Sequence, residues 1–381
     1  KKDYVWDYAG HFFHFSTEEF KKRFLDSVDP EDIKYKDKNT KIIYKGGLVD
    51  YPFQTNIHQL DKQEFIDCLY DLFHREEKEN YDSFLDMLYG KFGKSIVEKF
   101  LRPYNEKLYA VDLTTLDKDA MGRFFPYADI PAIIENMKAN KDSTSYNNSF
   151  LYPKNGAGSF IQILYDSLDK SKILLNHKVV RIDNENRTAE LDDGSLIRYE
   201  YLINTSPLNQ FLQYFDGEKF ARLREGLSYN KVLVFNLGFN KKSKYTDEHW
   251  MYIPDKDVNF YRIGFYDNIL DADKLSMYIE IGYGRDTVIT ETDIEEQLNR
   301  TLENLHKLGI IDEETKLEEH STIVMDPAYV HINTETERRI KEFKEQEARN
   351  NIYTIGRYGA WTYCSMEDCM IAAKKLSEEI G

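Results

Sequence analysis

The sequence predicts an α/β protein that carries a helical subdomain and a mixed sheet, and three features predict it. Residues 61–109 keep apolar side chains at helical spacing, residues 173–283 alternate in strand period, and near the end "NIYTIGRYG" is an apolar strand that runs into a capped helix. At 381 residues the chain is long enough for two or three packed subdomains, each burying an apolar face of its own.

Taken in order, residues 17–27 form a short amphipathic helix with Thr17 as cap, preceded by the strand-like run "DYVWDYAGHFFHFS". "KNTKIIYKGGLVDYPF" reads as two strands around Gly46 and Gly47. The helical stretch that follows is broken near Gly90 and Gly93 and again at Pro103. Residues 140–155 are polar and turn-rich and are expected to form a connector, after which Ser159–Leu168 is helical. A three-stranded meander with a tight Asp193-Gly194 turn closes on a strand ending at Asn204. Strands at 230–240, 249–254, 259–266 and 276–283 build a second, mixed sheet. Helices at 291–308 and 335–347 flank a strand at 319–326, and the final helix starts near Met366 with Ser365 as cap and Asp368 three residues on. The abrupt opening suggests that the start of a βαβ unit precedes Lys1, because no G-x-G-x-x-G follows any predicted strand; "KNGAGSF" has only Gly156 and Gly158.

The formal net charge of −16 argues against a nucleic-acid partner, which needs a basic stripe; an anionic ligand must instead be met by a few local arginines. The apolar runs are too short to span a bilayer and no charged leader opens the chain, so a soluble, cytoplasmic protein is expected, its oligomeric state open and a homo-oligomer included. Cys68, Cys364 and Cys369 are an odd number without a C-x-x-C pair, which points to a reducing compartment and no disulfide framework. His11 and His14 lie three apart but lack a third ligand, so no metal is expected. The 28 tyrosines serve equally as core filler or as flat, hydroxyl-bearing surfaces for bases, sugars and phosphate.

Four stretches stand out as candidate site material. "VDYPFQTNI" places Pro52 between two aromatics, with Gln54 and Asn56 at alternate positions, and suits a pocket wall or an edge strand. "FLRPYNEKLYA" sets Arg102, Tyr104, Asn105 and Tyr109 around a helix break. "NFYRIGFY" puts Arg262 in an otherwise apolar strand, where it needs a carboxylate or a ligand phosphate; the ligand is the favoured partner. In "GRYGAWTYCSMEDC" an arginine and aromatic rings precede a helix N-terminus, an arrangement that presents N–H groups and a positive dipole end to an anion.

In their order, "WDYAGHFFHF", "YPFQTNI", "FLRPYNEKLYAV", "NTSP", "MYIPD", "FYRIGFY", "AYVHINTE" and "IGRYGAWTYCSMEDCMIA" resemble the UDP-galactopyranose mutases and related flavoproteins of the amine oxidase and protoporphyrinogen oxidase type, over nearly the whole chain. The resemblance implies FAD on a doubly wound, Rossmann-like domain whose N-terminal βαβ start is absent here, built from 1–60, 151–215 and 350–381. A helical substrate domain over 61–140 and a mixed-sheet substrate domain over 216–349 would complete it. It implies FAD contacts from His11, Val179, Asn204, Gly356, Arg357, Ser365, Met366, Glu367 and Asp368. It implies a UDP-sugar bound by Tyr51, Phe53, Gln54, Arg102, Tyr104, Asn105 and Tyr109, with Tyr252, Arg262, Tyr329 and Tyr363 as the diphosphate clamp. His11, Arg262, Tyr329 and Tyr363 would carry the catalysis. The family reaction starts from reduced flavin, kept so by NAD(P)H or another reductant: N5 attacks the anomeric carbon, UDP leaves, the sugar ring opens and recloses as the furanose, and UDP returns. Two departures stand out. Trp361-Thr362-Tyr363 lacks the family's usual arginine before the tyrosine, and Tyr109 is smaller than the usual tryptophan. Both suit a different nucleotide sugar or lipid-linked sugar, or an FAD-dependent oxidoreductase as the alternative.

Overall fold

The computed structural model describes residues 3–120, 125–126, 128–139 and 149–381. It comprises two compact units. One gathers residues 1–14, 28–158 and 230–328, the other 15–27, 159–229 and 329–381.

The first unit is organised by a seven-stranded sheet in the spatial order 317–325, 230–239, 276–284, 262–265, 250–252, 40–44, 47–50. Every neighbouring pair is antiparallel except Trp250–Tyr252 with Thr40–Tyr44. The hairpin 40–50 turns through Lys45 and Gly46, both at positive φ, which is the twist a two-residue hairpin loop requires. The strand Asn230–Phe239, second in this order, is buried on both faces. On one face Leu233, Phe235, Leu237 and Phe239 pack with Met277, Ile279 and Ile281 beneath the helix Glu291–Lys307, which offers Ile294, Leu298, Leu302 and Leu305 at helical spacing. Its N-terminus carries a reciprocal Thr290/Asp293 capping box.

The other face is crossed by the N-terminal run, and this corrects the strand expected there. Apart from one bridge between Phe13 and Leu151, the run joins no ladder among the described residues. Its polar groups are met by side chains instead: Tyr4 donates to the Phe239 carbonyl, Trp6 to Ser276 Oγ at 3.0 Å, and Asn236 to the Asp7 carbonyl. Gly238 is required because a Cβ there would strike the Tyr4 ring.

The helical stretch consists of Lys62–Phe73, Phe84–Ile96 and Arg102–Tyr109, the last two joined by a π-turn over Val97–Leu101. Gly93 bends the second helix: it holds φ +72° with its Cα against the Asp71 backbone, a place no side chain fits. Gly90 breaks nothing; it makes room for the Tyr81 ring. Pro103 sits in the first turn of the third helix, where a missing N–H costs little. Residues 140–148 of the expected connector lie outside the described residues. The remainder corrects that expectation, since Ser149–Pro153 is a strand paired antiparallel with Ile33–Asp37. Pairing with a distant segment overrides a turn-rich composition.

In the second unit Leu202–Asn204 and Ile352–Thr354 pair in parallel, and Val179–Asp183, Thr188–Leu191 and Leu196–Arg198 form the expected meander. Their core joins Ile182, Leu208, Phe211, Phe220, Ile340, Phe343, Ile352 and Trp361. The helix Glu18–Ser27 belongs here too. It opens at Thr17, whose carbonyl accepts the Lys21 N–H and whose hydroxyl donates to Glu367.

Candidate active site

In the first unit the "AGH" turn projects His11. Ala9 takes φ +70°, and Gly10 is obligatory because a Cβ there would meet the Tyr278 hydroxyl. Below the turn lies a layer of buried tyrosines. Tyr266 donates to the Ala9 carbonyl at 3.1 Å, and its ring stands 5.3 Å from Tyr278. Tyr152 donates to the Asp7 carboxylate at 2.6 Å, and that carboxylate also accepts the Ala157 N–H at 2.9 Å. Burial pushes the Tyr152 and Tyr266 phenols well above the usual tyrosine range, so both remain donors. The His11 ring reaches solvent, yet surrounding protein strips its hydration and lowers its pKa; the Ala9 carbonyl, Asp7 and Glu280 offset this in part. His11 is therefore a neutral imidazole at neutral pH.

Arg262 stands opposite Glu280 in the antiparallel register, and its Nε donates to Glu280 Oε1 at 3.0 Å. The same carboxylate accepts the Tyr261 hydroxyl. The expected partner of this arginine thus includes a carboxylate of its own sheet, where a ligand was favoured. The guanidinium also lies over the Tyr278 ring at 5.8 Å.

Beside it runs an aromatic wall. Tyr252 meets Tyr51 at 4.8 Å and Tyr104 at 5.1 Å, and Phe53 and Tyr104 stack on the two sides of Phe100. Gln54 and Asn105 are buried behind this wall, donating to the Pro126 and Leu101 carbonyls. Tyr109 is in the core against Phe84, and Arg102 pairs with Glu106 at 2.7 Å and with Glu98. The expected wall residues therefore divide: Tyr51, Phe53 and Tyr104 come together, joined by Tyr252, which was expected in the diphosphate clamp, whereas Arg102 is held by helix carboxylates.

In the second unit the parallel strands end side by side at Asn204 and Thr354, and the loops that follow are locked together. The Ile355 N–H donates to the Asn204 carbonyl at 3.0 Å, and a Cβ on Gly359 would strike that same carbonyl. Asn204 closes its own turn by accepting from the Ser206 backbone and hydroxyl. Gly356 takes φ +78°. Arg357 sits over the Tyr363 ring at 4.5 Å and over Tyr329 at 5.6 Å, and its Nη1 donates to the Cys364 carbonyl at 2.9 Å. Tyr329 and Tyr363 stack at 5.8 Å. Ser365 and Asp368 form the expected capping box at the start of Met366–Ile380. Val179 opens the meander, half-buried against the core.

A sequence profile of the flavin-containing amine oxidoreductases matches residues 3–381. The chain belongs to this family. Three solved structures share the fold of this flavin-containing amine oxidoreductase. A reduced UDP-galactopyranose mutase superposes with a TM-score of 0.86 at 22% identity, over 94% of this chain and 80% of that one. A protoporphyrinogen oxidase candidate from Exiguobacterium sp. 255-15 gives 0.68 at 17%, over 95% and 84%. Cyclohexylamine oxidase from Brevibacterium oxydans IH-35A gives 0.67 at 12%, over 98% and 88%. At these identities the likeness is one of fold.

FAD is the cofactor of this family, and the second unit has the features that suit it. Two parallel strands open their carboxyl ends at one edge, and a glycine with positive φ and a capped helix N-terminus follow directly. The contact expected of Glu367 is by its backbone, and its side chain is engaged elsewhere. It is 3% exposed and accepts the N–H and hydroxyl of both Ser16 and Thr17, at 2.6–2.9 Å.

Sequence reasoning missed Asp7, Glu280, Tyr152, Tyr266 and Tyr278. The high tyrosine content was their one signal, and it did not say which rings lie together. No helix among the described residues is long and apolar enough to cross a membrane.

Proposed function

We propose that this flavin-containing amine oxidoreductase acts as a UDP-hexopyranose mutase, converting the sugar to its furanose form. The observation that carries the reading is the Arg357–Tyr329–Tyr363 cluster, a cation beside two stacked phenol rings next to a helix N-terminus. Such a group suits a dianionic diphosphate: the hydroxyls donate to its oxygens and the guanidinium offsets its charge. The likeness to the reduced UDP-galactopyranose mutase over 94% of this chain supports the same reading.

When bound in reduced form, FAD would supply the nucleophile for the anomeric carbon. The protein's part is to bind, aim and exclude water. Gly356 and the backbone of Ser365–Asp368 would hold the cofactor, with Asn204 and Val179 towards its adenosine side. In the first unit Tyr51, Phe53, Tyr104 and Tyr252 would stack and bracket the uridine, with Arg262 as an anion contact; in the second the Tyr329 and Tyr363 hydroxyls would donate to a diphosphate. Neutral His11 would offer a hydrogen-bonding group that adds no charge. The test is to incubate the dithionite-reduced, FAD-loaded protein with UDP-galactose and look for the furanose by chromatography. Its absence at full flavin loading would remove the proposal.

A second reading, an FAD-dependent amine oxidoreductase, is favoured by one observation: Glu280 already neutralises Arg262, which leaves less charge for a diphosphate. It predicts bleaching of oxidised flavin by an amine, with peroxide formed in air and no affinity for UDP.

A further inference from the structure

Cys364 and Cys369 bracket the cap of the last helix. Ser365 is the N-cap, so Cys364 occupies the position before it and Cys369 the fourth helical position. Those two positions normally bring apolar side chains into contact across the first turn. Here both are thiols, and their sulfurs stand 3.8 Å apart. Neither is deeply buried, in contrast to Cys68, which is fully enclosed and whose thiol burial pushes up to about 12.

We propose that Cys364 and Cys369 form a thiol–disulfide exchange site that takes low-molecular-weight disulfides and closes to an intramolecular disulfide. The surroundings divide the labour. The two sulfurs share a contact in which either can donate, and the Arg357 backbone N–H, which Cys369 accepts, and the nearby guanidinium favour the Cys369 thiolate against the cost of burial. With the proton on Cys364, its thiol donates to the Cys369 sulfur, and the neighbouring sulfur and burial raise its pKa. The Cys369 thiolate attacks one sulfur of the small disulfide, forming a mixed disulfide and expelling one thiolate. That thiolate takes the Cys364 proton, and the Cys364 sulfur displaces the second thiol from Cys369. One disulfide is consumed and one formed, two electrons pass from the protein to the small molecule, the Cys364 proton leaves on the first released thiol, and the second departs as a thiolate that takes its proton from solvent. The sulfurs must approach from 3.8 Å to about 2 Å, and Cys364, lying outside the helix, is free to make that move. Because Arg357 bonds to both cysteines, the state of the pair would be felt at this arginine.

The full FAD-loaded chain is equilibrated in mixtures of oxidised and reduced dithiothreitol, quenched in acid, alkylated and digested. The tryptic peptide 358–374 holds both cysteines. The proposal expects this peptide to lose two hydrogens as the mixture is made oxidising and to regain them on reduction, with Cys68 unchanged. It expects iodoacetamide at pH 7 to label Cys369 about tenfold faster than Cys364 in the wild-type protein, with a pH midpoint below that of an ordinary cysteine. Cys364→Ser should trap a stable mixed disulfide on Cys369 with an added small disulfide. Two free thiols throughout the oxidising series, equal labelling rates, or a disulfide linking separate chains would each overturn it.

Discussion

Arg262 and Glu280 face each other across neighbouring antiparallel strands, the carboxylate bonded to both Nε and Nη2 of the guanidinium and to the Tyr261 hydroxyl. Glu280 is 1% exposed, while part of the guanidinium reaches solvent. The pair therefore anchors an arginine whose side chain still reaches solvent in part.

Removing one partner strands the other. Arg262→Met should lower stability by about 3–5 kcal/mol in urea unfolding, because Glu280 is left charged and buried, and adding Glu280→Leu should recover most of the loss. A single variant as stable as wild type would show the pair to be energetically idle.

If Arg262 also meets a diphosphate, Arg262→Ala should weaken UDP binding by about 1.5–3 kcal/mol in calorimetry at a temperature where the variant is folded. Tyr363→Phe should cost about 1 kcal/mol through its lost hydroxyl alone, since the ring still stacks on Arg357. Unchanged UDP affinity in both would take these residues out of the clamp.

Glu367 ties the Ser16–Thr17 backbone to the last helix, so Glu367→Ala should cost roughly 3 kcal/mol by removing the hydrogen bonds these residues make to a buried carboxylate. Burial raises its pKa, but the four hydrogen bonds prevail and the net shift is downward. A lowered carboxylate pKa stabilises the fold above the unfolded value and loses that stabilisation as pH falls. Wild type and variant should therefore converge in acid-titrated thermal melts below about pH 4.

Asp267 carries the opposite sign. Burial raises its carboxyl to about 7, against the Ser276 N–H it accepts. The folded state then holds a proton that the unfolded chain releases, and stability from this group falls as pH rises through 7. Asp267→Asn, which keeps the acceptor, should exceed wild type in stability by roughly 2–4 kcal/mol at pH 8 and match it near pH 4.

Gly356→Ala places a side chain at φ +78° beside the Cys369 sulfur, at a cost of about 1–2 kcal/mol. Its flavin absorbance per chain after gel filtration should drop below that of wild type. Full flavin retention would exclude this glycine from the cofactor cradle.

Local patterns decided much of this protein. The 40–50 hairpin, the meander with its Asp193-Gly194 turn, the helices of 62–109 and the Ser365 capping box all follow from side-chain period and turn chemistry within a few residues. The same local signals marked the glycine–arginine–aromatic stretch before the last helix as a place for an anion. Only tertiary structure decided the pairing of Ser149–Pro153 with Ile33–Asp37, the side-chain anchoring of the N-terminal run, and the partners of Arg262 and Glu367. These are contacts between residues up to hundreds of positions apart. A charge or a tyrosine announces in sequence that it needs a partner, but which one it finds depends on strand order and register, and neither is written in local period.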